Sequence, residues 1–360
     1  MSLVQKIMRR IRIKDIAEIA NVSVGTVDRV IHNRGEVSEA TRERIQKLLR
    51  EYNYKPDFIA SSLASKREVC LAVVMPDVVN GHAFWELPRK GIERALDELA
   101  HYHISVEPYY FDQIDREDFL NIMDHFPYDR IHGVLFAPVF QEESFAFLER
   151  CRKENVPVVL FNSMLEVSTV KSFVGQDAYH SGHVAAKLIN YGIPPGRDVV
   201  IVNLSARKGH YAHIINREKG FRNYFEEHSG RLDHLLTVDL NGARDHEMKE
   251  KLAGAFSRYD IAGIFVTNSR VYRVAEYLAL HGAMNVRLVG YDLLPGSIEY
   301  LRRDYIDFLI SQRPEEQAFR GLTSLFNLVA FHREPEKKQL LPIDIITREN
   351  LAFYELKSHY

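Results

Sequence analysis

The stretch IKDIAEIANVSVGTVDRVI, residues 13–31, decides how the first part of the chain folds. In residues 13–20 the apolar side chains recur at the three- and four-residue spacing of one helical face. Residues 24–31 repeat this spacing, with Val27, Val30 and Ile31 directed back at the first helix. Between the two, Asn21 tolerates the left-handed conformation that a sharp turn requires, and Ser23 can cap the second helix. Two short helices joined by such a turn predict a helix-turn-helix, whose second helix enters the major groove of DNA.

A third helix and a short apolar segment follow. Ser38 can cap a helix that runs to about residue 52. Its expected buried residues are Ala40, Ile45, Leu48, Leu49 and Tyr52. Residues 56–64 (PDFIASSLA) are too few for a helix that is stable alone in water. Pro56 can nevertheless open a helix, and Leu63 can either wedge a DNA base step or pack on the rest of the protein.

Residues 13–64 resemble the lactose-repressor (LacI/GalR) family of bacterial transcription regulators, and the similarity continues over nearly the whole chain. The matching residues are Ile13–Ala17, Ala20–Ser23, Thr26, Val27, Arg29, Val30, Val37, Ser38, Thr41, Arg42, Tyr54, Pro56 and Ala60–Ala64. Two residues depart from the pattern: Asn21 stands where the family usually has Gly, and Asp28 where it has a small hydroxyl residue. The resemblance implies that residues 56–64 are a hinge helix that folds against the minor groove of the operator.

In a helix-turn-helix, side chains of the second helix that stay out of the core are free to reach base edges. Arg29 can pair with guanine or with a phosphate. Asp28 can only accept hydrogen bonds, so it meets either a cytosine amine or an arginine of its own chain. The predicted DNA-binding residues are Lys14, Ser23, Val24, Gly25, Thr26, Asp28, Arg29, His32, Asn33, Tyr54, Ala60 and Leu63.

Charge is distributed unevenly along the 360 residues. Residues 1–67 contain 14 Lys and Arg against 8 Asp and Glu, whereas the remaining residues contain 33 against 41. This asymmetry is expected when one end of a chain contacts phosphate. The two cysteines, Cys70 and Cys151, indicate no disulfide framework and a reducing compartment. Neither a signal peptide nor a membrane-spanning run is evident, so we expect a cytoplasmic protein with no membrane partner.

From residue 70 onward, strands and helices alternate. Residues 70–77 (CLAVVMPD) form the continuous apolar run of a strand that is buried on both faces. Further strands are predicted at residues 104–111, 133–138, 156–162, 199–204, 235–239, 263–266, 287–291 and 306–311. Predicted helices lie at residues 83–101, 116–126, 142–154, 179–191, 216–228, 245–258 and 271–281. We therefore predict an α/β fold, with two doubly wound parallel lobes behind the helix-turn-helix domain.

The chain is expected to form a helix-turn-helix DNA-binding domain (residues 1–55), a hinge helix and linker (56–68) and a ligand-binding domain (69–360). The first lobe of the latter is predicted at about 69–164 and 313–332, and the second at about 165–312 and 333–360. A second strand-helix unit is expected to begin near Ser172. The family resemblance implies that these lobes are similar to type I periplasmic binding proteins and sense a sugar. In parallel sheets a ligand lies off the carboxyl ends of the strands.

Those strand ends supply the ligand-binding candidates. Arg217–Phe221 resembles the family's Arg-x-x-Gly element, in which the Arg forks onto ligand oxygens. Asn268 and Asp292 resemble its sugar-contacting strand ends, and Gln312 its glutamine at the last crossover. Phe84 and Trp85 either stack on a ligand, as aromatics of this region do in the family, or pack the start of a helix. The predicted ligand-binding residues are Asp77, Phe84, Trp85, Pro138, Asn162, Asp177, Arg217, Asn268, Asp292 and Gln312.

These features favour a homodimeric transcription regulator that binds double-stranded operator DNA and responds to a small polar effector, most simply a sugar or sugar derivative. A planar Arg, amides and a carboxylate suit a ligand whose hydroxyls both donate and accept hydrogen bonds. The alternative is a sugar-binding protein without a DNA role, which the basic first part argues against. No Gly-x-Ser-x-Gly, phosphate loop or His-Glu-x-x-His is present, so we expect no enzyme activity, no cofactor and no metal.

Overall fold

The structure is a computed structural model that describes residues 13–31, 35, 37–52, 68–78, 83–204, 212–228, 234–240, 245–283 and 285–355. The chain divides into two compact units, Met1–Arg67 and Glu68–Tyr360. Of the predicted hinge and linker, residues 56–67 lie outside the described residues. Among the helices that are described, none combines the length and the apolar character needed to cross a bilayer.

In the described part of the first unit, three short helices form the core: α1 (Ile13–Ile19), α2 (Val24–Ile31) and α3 (Glu39–Glu51). Each contributes one fully buried side chain, namely Ile16, Val27 and Ile45. Asn21 has a φ of 49°, the left-handed conformation predicted for the turn between α1 and α2. The Ser23 hydroxyl accepts a hydrogen bond from the Thr26 backbone N–H at 3.1 Å, so it caps α2 as predicted.

The buried face of this unit is narrower than the apolar pattern predicts. Ile19 is 48% exposed, Tyr52 is 44% exposed, and Ala40 is exposed as well. All three lie in the first or last turn of a helix or just beyond it. The Ser38 side chain likewise makes no cap to the backbone of α3 and instead contacts the Thr41 hydroxyl at 2.8 Å.

The first sheet of the second unit is parallel throughout. Its strands are β1 (Val69–Pro76), β2 (Ile104–Phe111), β3 (Gly133–Phe136), β4 (Val158–Phe161), β5 (Val170–Gly175) and β11 (Lys338–Leu340), in the order β2-β1-β3-β4-β5-β11. A short 3-10 turn, Ala83–Trp85, leads into the first of its helices. The helices are α4 (Glu86–Leu99), α5 (Arg116–His125), α6 (Gln141–Lys153) and α12 (Pro314–Phe331). Because α4 and α12 contribute to one apolar cluster and α5 and α6 to another, both faces of the sheet are covered.

The second sheet repeats this arrangement. Its strands are β6 (Asp198–Asn203), β7 (Leu235–Asp239), β8 (Ile261–Val266), β9 (Arg287–Tyr291), β10 (Phe308–Ser311) and the antiparallel β12 (Asp344–Ile346), in the order β7-β6-β8-β9-β10-β12. Its helices are α7 (Ala178–Gly192), α8 (Ala212–His228), α9 (Asp245–Arg258), α10 (Val271–Leu280), α11 (Pro295–Arg302) and α13 (Leu351–Glu355). The predicted two-lobed, doubly wound α/β fold is therefore confirmed.

The predicted boundary between the lobes is wrong at two strands. β5, which contains Ser172, pairs with β4, and β11 pairs with β5, so both belong to the first sheet. The prediction placed residues 165–175 and 338–340 in the second lobe. A buried parallel strand has the same apolar pattern in either lobe, so its pattern does not indicate which sheet it joins.

Within the described residues, the chain passes between the two sheets after β5, after β10 and between β11 and β12. Gln176 follows β5 directly and is buried. Its Nε2 donates to the backbone carbonyls of Ser311 at 3.0 Å and Pro342 at 3.1 Å. One amide side chain therefore joins all three crossover segments.

Candidate functional site

A cavity lies between the two lobes, with an empty volume of about 770 Å³ that includes some open solvent. Its walls come from residues that follow the carboxyl ends of β3, β4, β6, β8 and β10. These strands include β3 and β8, which adjoin the points where the strand order of each sheet reverses. Parallel α/β sheets bind ligands at such points, so the cavity is the candidate ligand site.

Seven of the predicted ligand-binding residues line this cavity. The first lobe supplies Phe84, Trp85, Pro138 and Asn162. The second lobe supplies Arg217 and Asn268, and the crossover after β10 supplies Gln312. Lining residues that the sequence did not single out include Gln113, His213, Arg270 and Tyr272. They lie two to six residues beyond a strand end or at the start of a helix. A search extended past the last strand residue would have included Gln113, Arg270 and Tyr272.

Arg217 is the central polar residue of the second-lobe wall, and it is only 2% exposed. Its Nη1 donates to the Thr267 carbonyl at 2.8 Å, and its Nη2 donates to Gln312 Oε1. The guanidinium also lies 3.7 Å from the centroid of the Tyr291 ring. Its Nε finds no hydrogen-bond partner among the described residues. Burial lowers the pKa of this guanidinium, although Tyr291 and Asp292 act in the opposite direction.

Two glycines hold the helix that carries Arg217 close to its neighbour. A Cβ on Gly220 of α8 would lie 1.9 Å from the Tyr179 carbonyl oxygen of α7. A Cβ on Gly182 of α7 would lie 2.0 Å from the Arg217 carbonyl oxygen. Only glycine permits this reciprocal approach of two helix backbones. The Gly of the Arg-x-x-Gly element therefore positions the Arg rather than the ligand.

Asp292 does not line the cavity, contrary to the prediction. It is fully buried behind Gln312, whose Nε2 and backbone N–H donate to its two carboxylate oxygens at 2.6 and 3.2 Å. Burial raises the pKa of Asp292 to about 6, against the opposing effects of Arg217 and Gln312. Asp292 thus holds the Gln312 amide in the orientation in which its oxygen accepts from Arg217.

Two other predicted carboxylates also lie away from the cavity. Asp77 accepts hydrogen bonds from the Val78 N–H and from Arg89, both at 2.7 Å. Asp177 caps α7 by accepting from the His180 N–H at 2.9 Å. Both follow a strand, as predicted, but local partners already engage each carboxylate. A position after a strand correctly predicts that the residue lies at the carboxyl edge of the sheet. It does not predict whether the side chain points into the cavity.

The amide residues of the cavity are engaged with the backbone. Asn268 Nδ2 donates to the Leu204 carbonyl, and its Oδ1 accepts from the Arg270 N–H at 3.0 Å. The Asn162 backbone N–H donates to Gln317 Oε1 at 2.9 Å, and Gln317 Nε2 donates to the Gln312 carbonyl at 2.7 Å. Asn268 therefore shapes the loop before α10, and Gln317 ties the end of β4 to the crossover that carries Gln312.

The aromatic residues at the start of α4 form the first-lobe wall. Trp85 is buried against Phe161, and its Nε1 donates to Gln113 Oε1 at 2.9 Å. Phe84 is half-buried and packs edge-on against Trp85, with ring centroids 5.1 Å apart. Trp85 therefore packs the helix start, and both rings also line the cavity, so their stacking on a ligand stays a prediction.

One hydrogen bond spans the cavity directly. Ser163 Oγ, at the end of β4, lies 2.8 Å from His213 Nδ1, in the first turn of α8. Burial and the charge of Arg217 hold the pKa of His213 well below its ordinary value of 6.5, so the ring is neutral at neutral pH. This contact joins the two lobes at the cavity.

In the first unit, α2 and the residue before it supply six of the twelve predicted DNA-binding residues. Ser23, Val24, Gly25 and Arg29 are exposed, as is Lys14 on α1, whereas Thr26 and Asp28 are half-buried. Val24 is 39% exposed although it is apolar and near the start of the helix. His32, Asn33, Tyr54, Ala60 and Leu63 lie outside the described residues. This surface has the side chains that a recognition helix needs.

Comparison with known families agrees with this geometry. Residues 12–57 match the family of bacterial regulatory proteins of the lacI family, and residues 71–333 match the periplasmic binding protein domain. The chain belongs to the LacI family. It is a DNA-binding transcription regulator.

This LacI-family regulator is similar to curated transcription regulators along most of its length. It is 28% identical to the HTH-type transcriptional regulator DegA of Bacillus subtilis, over 78% of this chain and 81% of DegA. It is 25% identical to the sucrose operon repressor of Pediococcus pentosaceus, over 93% of this chain and 98% of that repressor. A solved structure from Bacteroides fragilis, described as a LacI transcriptional regulator, has a TM-score of 0.74 at 27% identity, covering 80% of this chain and 100% of that chain. The alternative of a sugar-binding protein without a DNA role is not favoured.

Proposed function

We propose that this LacI-family protein is a cytoplasmic homodimer that represses transcription from a roughly palindromic operator, and that a small carbohydrate in the cavity between its lobes controls operator affinity. Helix-turn-helix dimers place their recognition helices in adjacent major grooves, so the operator half-sites reflect the symmetry of the dimer. The protein acts by binding rather than by catalysis, as its curated relatives are transcription regulators.

The observation that carries this proposal is the state of Arg217. Its guanidinium is buried in the cavity wall, its Nη1 and Nη2 are held by Thr267 and Gln312, and its Nε has no partner among the described residues. The Nε is enclosed by the protein, but Arg217 lines the cavity, and each Nη has a second N–H that can donate to a ligand oxygen. A planar guanidinium held in this way suits a ligand that presents oxygens in a defined plane.

The rest of the cavity wall supports a carbohydrate. Phe84, Trp85 and Tyr272 supply aromatic surface, which covers the C–H faces of a sugar ring. Asn162, Ser163 and Gln113 supply groups that donate and accept hydrogen bonds, as sugar hydroxyls require. The relative from Pediococcus pentosaceus is named for a sucrose operon.

Control of DNA binding requires that the ligand favour one arrangement of the lobes over another. The cavity walls come from both lobes, and the Ser163–His213 hydrogen bond crosses between them. A ligand that replaces or reinforces this contact would change the relative free energies of the open and closed arrangements. That difference is the free energy available to change operator affinity.

The test combines a ligand screen with a DNA-binding assay. We expect a carbohydrate at about 100 times its dissociation constant to add about 2.7 kcal/mol to the free energy of unfolding in a thermal-shift screen. The same compound should change the affinity for an operator selected from random duplexes, measured by fluorescence anisotropy. Absence of any stabilising carbohydrate, together with unchanged operator affinity, would contradict the proposal.

Arg217→Ala and Arg217→Lys separate the two activities. Both variants should lose most of the response to the carbohydrate, because Lys keeps the charge but not the planar fork. Both should still bind the operator, since Arg217 lies in the second unit and the DNA-binding surface in the first. Unchanged carbohydrate affinity in both variants would remove Arg217 from the site.

A further inference from the structure

The charges that line the cavity between the lobes are of one sign. Arg217 and Arg270 are the charged side chains among the described lining residues, since His213 is neutral there, and none of these residues is an Asp or a Glu. Neutral polyols need acceptors as well as donors, and carboxylates are the strongest acceptors available to a protein.

The nearest carboxylate does not neutralise Arg217 through a direct contact. Asp292 is buried behind Gln312, and both of its oxygens accept hydrogen bonds from Gln312. Among the described residues, Arg217 makes no salt bridge, and its Nη atoms contact a carbonyl and an amide oxygen, both uncharged. Each Nη of this guanidinium has a second N–H besides the one already bonded, and Arg217 lines the cavity. A charged acceptor would satisfy these N–H groups best.

Helix dipoles add to the positive potential. Residues at or just before the N-termini of α8, α10 and α11 line the cavity: His213, Arg270 and Leu294. Each N-terminus carries a partial positive charge from its free N–H groups. Arg270 is the N-cap residue of α10, so its side-chain charge and the dipole of that helix act on the same part of the cavity.

We propose that the carbohydrate effector of this protein is an anion, a polyhydroxylated acid whose negative group contacts Arg217 and Arg270. This inference rests on the proposed function, and it specifies the chemical class of the ligand. The negative group is a carboxylate, as in a uronic or aldonic acid, or a phosphate ester, since both satisfy a forked guanidinium. Hydroxyls of the same ligand meet the Gln113, Asn162 and Ser163 side chains.

The experiment compares sugars that differ in one charged group. Dissociation constants are measured by calorimetry on the full chain for D-glucose, D-glucuronate and D-glucose 6-phosphate, and for D-galactose and D-galacturonate. We expect at least one acid to bind tenfold or more tightly than its neutral counterpart. Tighter binding of the uronates would identify a carboxylate, and tighter binding of the phosphate ester would identify a phosphate; either supports the proposal.

Paired variants then connect the effect to the cavity. Arg270→Gln should weaken binding of the preferred acid about tenfold and leave the neutral counterpart unchanged. Arg273→Gln is the control, because Arg273 lies in the first turn of the same helix and does not line the cavity. Arg273→Gln should change neither affinity. Equal effects of the two variants on the acid would overturn the role of Arg270.

The outcomes separate this inference from the proposed function. Neutral sugars that bind as tightly as their acids, or more tightly, would overturn the anionic effector and leave carbohydrate control intact. Failure of every sugar and acid to bind, with no change in operator affinity, would contradict both. Binding of the acids that is equally strong in Arg217→Ala would overturn the site, since that variant lacks the fork.

Discussion

At the scale of single residues, the site depends on the hydrogen bonds that join Asp292, Gln312 and Arg217. Of the two charged residues in this series, Arg217 lines the cavity and Asp292 does not. Asp292 holds the Gln312 amide, and Gln312 in turn accepts from Arg217. Asp292 has a φ of 64°, a left-handed conformation that Asp and Asn tolerate better than most residues. A short polar residue is therefore needed at this position for its backbone as well as for its carboxylate.

The buried Asp292 carboxyl predicts a measurable dependence of stability on pH. Its pKa is raised from 3.8 to about 6, so the folded state binds the proton more tightly than the unfolded state. The resulting stabilisation is present below pH 3.8 and is lost as the pH rises through about 6. We expect the free energy of unfolding of the wild type, relative to Asp292→Asn, to fall by on the order of 3 kcal/mol between about pH 4 and pH 7. Urea unfolding at both pH values measures this difference.

Other titrating groups are common to both proteins in that comparison, so their contributions cancel. Asn also keeps the left-handed backbone and one acceptor oxygen. A difference between wild type and variant that is independent of pH would show that the Asp292 carboxyl does not titrate in this range.

At the scale of elements, the contact between α7 and α8 sets the position of Arg217. Gly182 and Gly220 each face a backbone carbonyl of the other helix at a distance that leaves no room for a Cβ. The helices also share an apolar cluster that includes Ala185 and Phe221. Close packing of this kind transmits any displacement of one helix to the other.

Gly220→Ala should therefore reduce both stability and effector affinity. Its Cβ would lie 1.9 Å from the Tyr179 carbonyl oxygen, so α7 and α8 must separate, at a cost of about 1–3 kcal/mol or more. Gly254→Ala is the matched control, because Gly254 lies inside α9 and a Cβ there meets nothing within 4 Å. Helix propensity predicts that this control is stabilised by roughly 0.8–1 kcal/mol. Thermal unfolding and calorimetry compare the two, and equal melting temperatures would contradict the packing argument.

At the scale of the whole chain, the second unit depends on how its two lobes are joined. Gln176 links the three crossover segments through its Nε2. Gln317 links the end of β4 to the crossover that carries Gln312. These amides lie where the backbone must turn if one lobe moves relative to the other. Neither amide lines the cavity, although Gln317 contacts Asn162 and Gln312, which do, so we expect Gln176 to act on the movement rather than on ligand recognition.

Gln176→Met should alter the coupling between effector and operator. Met has a similar length but lacks both N–H donors, so the Ser311 and Pro342 carbonyls lose their partner, at a cost of about 1–3 kcal/mol. Gln339→Met is the control, because Gln339 also donates two hydrogen bonds, to Ser172 and Ser324, but both lie in the first lobe. We expect the ratio of operator affinities with and without effector to change severalfold only in Gln176→Met. An equal change in both variants would contradict a hinge role.

The sequence predicted the class of fold and the DNA-binding unit because both depend on local spacing. Periodic apolar residues indicated α1, α2 and the buried strands, and the left-handed turn at Asn21 followed from the residue type. Asp77, Asp177 and Asp292 show where such reasoning stops. Each was correctly placed beyond a strand, but its hydrogen-bond partners decide whether its side chain reaches the cavity. Those partners are Arg89 for Asp77, an N–H group of α7 for Asp177 and Gln312 for Asp292.

The spacing of apolar residues and the distribution of charge along the chain were thus enough to predict a basic DNA-binding domain followed by alternating strands and helices. Which lobe β5 and β11 join, which residues hold Gln312 in place and which charges line the cavity could not be read in that way. These properties arise from contacts such as Gln176 with Pro342 and Ser163 with His213, between residues far apart in the sequence. Such contacts form only when buried strands have paired, and a pattern of buried apolar residues is the same for every partner strand.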